Sequence, residues 1–243
     1  MYTAPLAIVT GASRGLGTAL AEQLAASGHT VLGLSRRTAA LPASVEQWPV
    51  DLAEAGPVAE RLAQWLRERR GAPSAVLINN AGVVSRPAPL EAIDAADLRN
   101  AIRVGLEAPL LLTAAFLAAT ADWTVPRRVM LVSSGLGRRG MAGSASYCAA
   151  KAGLDNLARA LALEQAAQPH GARIASVAPG VIDTEMQQQL RGADPVLFPE
   201  RERFAALHRD GQLDSPATAA AKLLRLLARD DYGDESVTDV RGA

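Results

Sequence analysis

A single cysteine, Cys148, stands among 243 residues, which excludes an intrachain disulfide framework and any cysteine-rich zinc site. An excess of charge of one sign is missing too. With 25 Lys and Arg against 25 Asp and Glu, there is neither a basic field for nucleic acid nor an acidic tail. No apolar run reaches the roughly 20 residues of a membrane span; the longest, Ala108–Ala121, has 14 residues between Glu107 and Asp122. Met1-Tyr2-Thr3-Ala4-Pro5 carries no basic leader, so the expectation is a cytoplasmic protein without a signal peptide. What is present, 49% hydrophobic and 21% charged residues, suffices for one sizeable core or two small ones.

Short apolar runs alternate with helical patterns along the chain. Leu6–Thr10 ends in a glycine turn, and an alanine-rich helical pattern follows to about Ser27. Strand-like runs recur at Val31–Leu34, Val45–Val50, Ala75–Asn79, Arg128–Val132, Arg173–Val177 and Glu235–Val240. Helical patterns cover Val58–Arg70, Asp97–Ala119, Ser146–Gln168 and Pro216–Ala228. Continuous apolar strands separated by helices predict a doubly wound α/β fold, a parallel sheet covered on both faces. No linker or repeat divides the chain, which favours one domain over 1–243. The stretch Asp183–Asp214 lacks a strand and reads as an inserted helical flap near the ligand-binding end of the sheet.

The turn Gly11-Ala12-Ser13-Arg14-Gly15-Leu16-Gly17 sits between strand and helix, where backbone can approach a pyrophosphate and helix N–H groups face it. Its Gly-x3-Gly-x-Gly spacing departs from G-x-G-x-x-G, and a plain tight turn fits as well. The same residues also spell G-x-S-x-G, with Ser13 as the nucleophile of a serine hydrolase. That reading needs an acid and a histidine near the serine; the candidates are His29, His170 and His208, of which only His208, in the flap, suits a site.

Further motifs follow in order: Asn79-Asn80-Ala81-Gly82, Ser134 thirteen residues before Tyr147-Cys148-Ala149-Ala150-Lys151, and Pro179-Gly180-Val181-Ile182-Asp183-Thr184. Together with the glycine turn they resemble the short-chain dehydrogenase/reductase family over essentially the whole chain. The wording around Ser144–Cys148, Gly153–Asp155, Leu163–Gln165 and Val237–Arg241 is most similar to its benzil reductase and sepiapterin-reductase-like branch. The resemblance implies a single Rossmann-type domain and an NADP(H)-dependent carbonyl reductase acting on a small-molecule ketone or diketone. Ser134, Tyr147 and Lys151 are its implied catalytic residues, with Lys151 also on the nicotinamide ribose. Around the cofactor it implies Gly11, Ser13, Arg14, Gly15, Leu16 and Gly17 in the turn, Asp51 and Leu52 at the adenine, and Asn80, Ala81 and Gly82 along one wall. Pro179, Gly180, Ile182 and Thr184 complete that set, the last two near the carboxamide.

The chemistry also follows from the residues. Tyr147 and Lys151, four apart on a predicted helix, share a face. A phenol exchanging a proton near neutrality needs its pKa of about 10 lowered by roughly 3, and an adjacent ammonium has the right sign. An NAD site usually carries an acid about 20 residues past the glycines. Here Ser35-Arg36-Arg37 stands in its place, so Arg36, Arg37 and Arg14 point to the 2′-phosphate of NADP(H). An arginine pair that is simply solvated leaves that choice open.

One departure stands out: Arg103-Val104-Gly105 places Gly105 where the family has an asparagine whose carbonyl holds a relay water. Glycine either preserves that water site and slows proton delivery, or only permits a close helix contact. A non-catalytic dinucleotide-binding or scaffold member is therefore the alternative to a reductase. In the flap, Met186, Leu190, Leu197, Phe198 and Phe204 offer either an apolar lining for a bulky, aromatic carbonyl compound or the flap's own core. No metal site is expected. The resemblance implies a homodimer or homotetramer paired through the helices at 97–119 and 146–168.

Overall fold

The computed structural model describes residues 3–242; Met1 and Tyr2, the start of the segment read as leaderless, lie outside the described residues, as does Ala243. Seven strands form one sheet: β1 (Leu6–Thr10), β2 (Thr30–Ser35), β3 (Val45–Pro49), β4 (Ala75–Asn79), β5 (Arg127–Val132), β6 (Arg173–Ala178) and β7 (Val237–Asp239). Their order is β3-β2-β1-β4-β5-β6-β7, and every pairing is parallel. The helices are α1 (Gly15–Ala26), α2 (Ala55–Arg67), α3 (Ala95–Ile102), α4 (Ala108–Ala119), α5 (Ala145–Ala166), α6 (Glu185–Arg191), α7 (Arg201–Arg209) and α8 (Pro216–Ala228).

Alternation along β1 builds two cores from one strand. Leu6 and Ile8 pack with Leu62, Leu66, Leu112, Phe116 and Leu154 of α2, α4 and α5. Ala7 and Val9 pack with Leu20, Leu24, Leu223 and Leu227 of α1 and α8. Both faces of the sheet are thus covered, which is why the strands read as unbroken apolar runs. The chain winds outward from β1 to β3, then returns to lay β4 on the other side of β1. That reversal opens a crevice at the carboxyl ends of β1 and β4.

Between α3 and α4 the backbone widens into a π-helical turn, Arg103–Glu107, closed by the Ala108 N–H on the Arg103 carbonyl. Helical structure therefore continues from Ala95 to Ala119, 25 residues, long and apolar enough by length and composition to cross a membrane. Its Ala108, Leu112 and Phe116 lie instead in the protein core, which accounts for the hydropathy. Leu110 on α4 and Leu163 on α5 face outward, 46% and 77% exposed.

The flap holds α6 and α7, and its two ends are tied together at a single parallel bridge, Ile182 to Asp214. The Asp183 N–H donates to the Asp214 carbonyl at 3.0 Å, and the Asp214 N–H to the Val181 carbonyl at 2.9 Å. Lys222 of α8 holds the Asp214 carboxylate at 2.7 Å, anchoring the flap base to the body.

Candidate active site

Thr10, the last residue of β1, staples the crevice together. Its hydroxyl oxygen accepts from the N–H groups of Asn80 and Ala81, both at 2.9 Å, and its carbonyl accepts from the Asn80 side chain at 2.9 Å. The glycine turn and the Asn80–Gly82 segment therefore become opposite walls. Gly11 and Gly15 adopt positive φ, 69° and 53°. α1 then starts without a side-chain cap, so its first-turn N–H groups are open to an anion.

One cleft of about 830 Å³ receives the sequence-predicted residues. It is lined by Gly11 and Ser13–Gly17 of the turn, Arg36 and Arg37 after β2, Asp51 and Leu52 after β3, and Asn80–Gly82 after β4. Ser134, Tyr147, Lys151, Pro179, Gly180, Ile182 and Thr184 line it as well. Not all of them present side chains to it. The Asn80 amide is engaged with Thr10, and Asp51 caps the Ala53 N–H at 3.0 Å. Arg14, expected beside Arg36 and Arg37, instead pairs with Glu185 on α6, because the flap's first turn brings that carboxylate across the glycine turn.

Lys151 is 4% exposed and donates to the Val132 carbonyl at 2.6 Å. Burial pulls its pKa down to about 8, with Asp155 acting in the opposite direction. Tyr147 behaves contrary to expectation: burial pushes its phenol up to about 12, against the pull of the Ser134 hydroxyl. The physical reason is that the Lys151 ammonium turns to Val132 and lies 5.5 Å from the Tyr147 ring centroid, so apolar surroundings outweigh it. At neutral pH the site therefore holds a protonated phenol above a charged ammonium. The Ser134 oxygen accepts from the Leu136 N–H at 3.2 Å, leaving its own O–H to donate elsewhere.

Sequence reasoning missed the support beneath these groups. Asp155, 2% exposed, follows Lys151 by one helical turn, accepts from the Ser176 hydroxyl at 2.6 Å and pairs with Arg138 at 3.6 Å. Arg138 in turn reaches the Thr238 carbonyl at 2.6 Å, so the loop after Ser134 is tied to both α5 and β7. A Cβ on Gly137 would meet the Asp155 carboxylate at 2.7 Å and the Lys151 carbonyl at 2.9 Å; only glycine lets that loop lie so close. The signal was the spacing Tyr147, Lys151, Asp155, three positions on one helical stripe. Asp155→Asn is expected to lower the Lys151 titration midpoint by about one pH unit, since an opposite charge is lost. The chain has only two lysines, Lys151 and Lys222, so carbon-13 lysine labelling resolves that midpoint directly.

The structure bears on the two readings of Gly105. Its Cβ would stand 3.1 Å from the Cβ of Ala150, the residue before Lys151, so the close helix contact is present. The flap residues divide. Met186, Leu190 and Phe204 line the cleft, while Phe198 is fully buried and stacks on Phe204 at 5.8 Å. Leu197 lines a separate cavity of about 480 Å³. For Ser13 as a nucleophile the histidines are misplaced: none of the three lines the cleft, and His29 sits 3.1 Å from the Ser27 hydroxyl.

The sequence profile described as short chain dehydrogenase matches residues 5–195. The chain is 33% identical over 235 residues to the benzil reductase ((S)-benzoin forming) of Bacillus cereus, covering 93% of this chain and 94% of that one. It is 36% identical over 247 residues to the sepiapterin reductase of Rattus norvegicus, covering 93% and 92%. Among solved structures, a short-chain dehydrogenase/reductase from Burkholderia vietnamiensis superposes with a TM-score of 0.69 at 37% identity, covering 99% of both chains.

Proposed function

The chain belongs to the short-chain dehydrogenase family, in the branch of the benzil and sepiapterin reductases, and from that premise we propose that it is an NADPH-dependent reductase of bulky, aromatic ketones or diketones. The observation that carries this reading is the meeting of Ser134, Tyr147 and Lys151 with an uncapped, glycine-lined helix start in one cleft.

The cleft fits a phosphorylated dinucleotide. Gly17 lies so near Gly11 that any side chain there would fill the turn, and the α1 N–H groups suit a pyrophosphate. Arg36 and Arg37 are exposed and, among the described residues, form no ion pair, which leaves both guanidiniums for a 2′-phosphate. Asp51 and Leu52 border the adenine end, Asn80–Gly82 the middle, and Ile182 and Thr184 the carboxamide end. When bound, the cofactor supplies a hydride for the carbonyl carbon.

The rest is the work of the chain. Tyr147, protonated at neutral pH, donates its proton to the carbonyl oxygen as negative charge grows there. Lys151, charged below about pH 8, stabilises the phenolate that remains. The Ser134 O–H donates to the same oxygen, a preoriented dipole aimed at developing charge. Met186, Leu190 and Phe204 supply the apolar surface that a bulky carbonyl compound needs.

The test is oxidation of NADPH by benzil and aromatic ketones, repeated with NADH. Turnover is expected to favour NADPH, and Arg36→Ser with Arg37→Ser should remove roughly 10- to 100-fold of that preference, as loss of charge-assisted hydrogen bonds implies. Binding of NADPH without reduction of any carbonyl would favour the non-catalytic alternative.

A further inference from the structure

An acidic side chain stands beside the glycine turn that is to meet phosphate. Among the described residues two carboxylates line the cleft, Asp51 and Glu185. Asp51 is engaged with the Ala53 N–H at 3.0 Å. Glu185, the first residue of α6, reaches back across the turn to the Arg14 guanidinium. Its place is fixed by the base of the flap: Ile182, just before it in the chain, is bridged to Asp214, and the Thr184 methyl carbon lies 3.4 Å from where a Cβ on Gly15 would stand. The first turn of α6 therefore rests on the glycine turn, and its carboxylate cannot swing clear without moving the flap base.

Arg14 has no other ion-pair partner among the described residues, while Arg36 and Arg37 have none. A guanidinium held by a carboxylate must be released before it can serve a phosphate, and that release offsets part of the attraction. The side chains of Arg14 and Glu185 are 61% and 62% exposed, so the pair is weak enough for a doubly charged phosphate to break it. We infer that Glu185 is a specificity-determining residue for the cofactor: its carboxylate competes with the 2′-phosphate of NADP(H) for Arg14, and so narrows the margin by which the protein prefers the phosphorylated dinucleotide. It acts through Arg14 and is a positioning residue. This rests on the reductase reading with its NADPH cofactor, and adds to it a residue that opposes the preference.

The experiment measures Kd for NADPH and NADH by the fluorescence of the reduced nicotinamide, at about 0.05 M salt, where exposed charges are weakly screened. It uses the wild type, Glu185→Gln, which keeps the side chain's length, Arg14→Gln, and the double variant. Glu185→Gln is expected to lower Kd for NADPH roughly 2- to 5-fold, the worth of an exposed ion pair, and to change Kd for NADH by less than about 1.5-fold. In the Arg14→Gln background the same substitution should leave the ratio of the two Kd values unchanged within about 1.5-fold, because the partner through which it acts is gone. The Tm of Glu185→Gln without dinucleotide should stay within about 2 °C of the wild type.

A gain shared equally by NADPH and NADH overturns the inference, since the 2′-phosphate is then not the group that Arg14 meets. The same gain in the Arg14→Gln background overturns it as well, because loss of a negative charge alone then accounts for the effect. A merely structural glutamate would weaken both dinucleotides together with a lower Tm, or leave both Kd values unmoved, and either result overturns the inference alone. A wild type that binds neither dinucleotide overturns the reductase reading and this inference with it.

Discussion

Tyr147→Phe and Lys151→Met are each expected to cut kcat/KM for a ketone by roughly 10²- to 10⁴-fold, the range for loss of a proton-transfer group, while moving stability in different ways. Tyr147→Phe keeps the ring that packs on the flap cluster and should change stability by less than about 1 kcal/mol. Lys151→Met should raise it. Burial takes the Lys151 ammonium from 10.5 to about 8, which corresponds to roughly 3 kcal/mol against the charged form. Removing the side chain also strips the Val132 carbonyl of its donor at 2.6 Å, costing about 1–2 kcal/mol. The net gain is about 1–2 kcal/mol, a Tm higher by roughly 3–6 °C for a chain of this size.

The pH dependence fixes the sign. Below about pH 8 the ammonium is charged in both folded and unfolded chains, and the folded state carries the whole burial cost. Between about 8 and 10.5 the unfolded chain binds more protons, so the stability of the wild type rises with pH. Lys151→Met lacks that rise, and the Tm gap between variant and wild type should close as pH increases through this window. Urea denaturation across the window checks it; a variant less stable than the wild type at neutral pH would show that the lysine is a structural asset. The choice of side chain agrees: of 25 Lys and Arg residues only two are lysines, and the one in the cleft is the cation type whose charge can respond to burial.

The sheet was legible because both its faces are covered. Leu6–Thr10, Ala75–Asn79 and Arg128–Val132 read as strands since no solvent face interrupts the apolar run, and their parallel order followed from the intervening helices. Most residues that meet in the cleft were legible through the ordered motifs that resemble the short-chain dehydrogenase/reductase family, and the topology explains their meeting, since it gathers the carboxyl ends of the strands. The π turn at Arg103–Glu107 was not. It changes helical phase, and the segment from Ala108 onward is apolar on all sides, so no amphipathic stripe records the change. The direction of the Tyr147 shift was missed because spacing places Lys151 on the right face but says nothing of Val132, whose carbonyl draws the ammonium aside. Asp155 escaped for a related reason. Burial of a polar side chain is decided by tertiary contacts, and a sequence displays only its polarity.

Gly17→Ala is expected to be the most damaging single-methyl addition in the chain's first half, and Gly56→Ala, the same chemical change, is expected to be nearly neutral. A Cβ on Gly17 would lie 2.0 Å from the Gly11 carbonyl oxygen and 2.7 Å from the Asn80 side-chain nitrogen. Both neighbours are held in place: the Gly11 N–H is bonded to the Leu34 carbonyl at 2.7 Å, and the Asn80 amide to Thr10 at 2.9 Å. Backbone must move, at a cost of about 3 kcal/mol or more, the upper end of overpacking, and Tm should fall by roughly 6–12 °C. Because what moves is the turn itself, NADPH affinity should drop by at least about 100-fold, nearly 3 kcal/mol of binding. At Gly56, on α2, an added Cβ meets nothing within 4 Å beyond its chain neighbours, and the helix preference of alanine over glycine, up to about 1 kcal/mol, is offset by crowding of that Cβ against the ring of Pro57, the next residue. Its Tm should stay within about 2 °C of the wild type with NADPH affinity unchanged. Thermal melts of both variants with and without NADPH decide the matter. If Gly17→Ala melts like the wild type and still gains stability from the dinucleotide, the close approach of α1 to the end of β1 is not what makes the cleft.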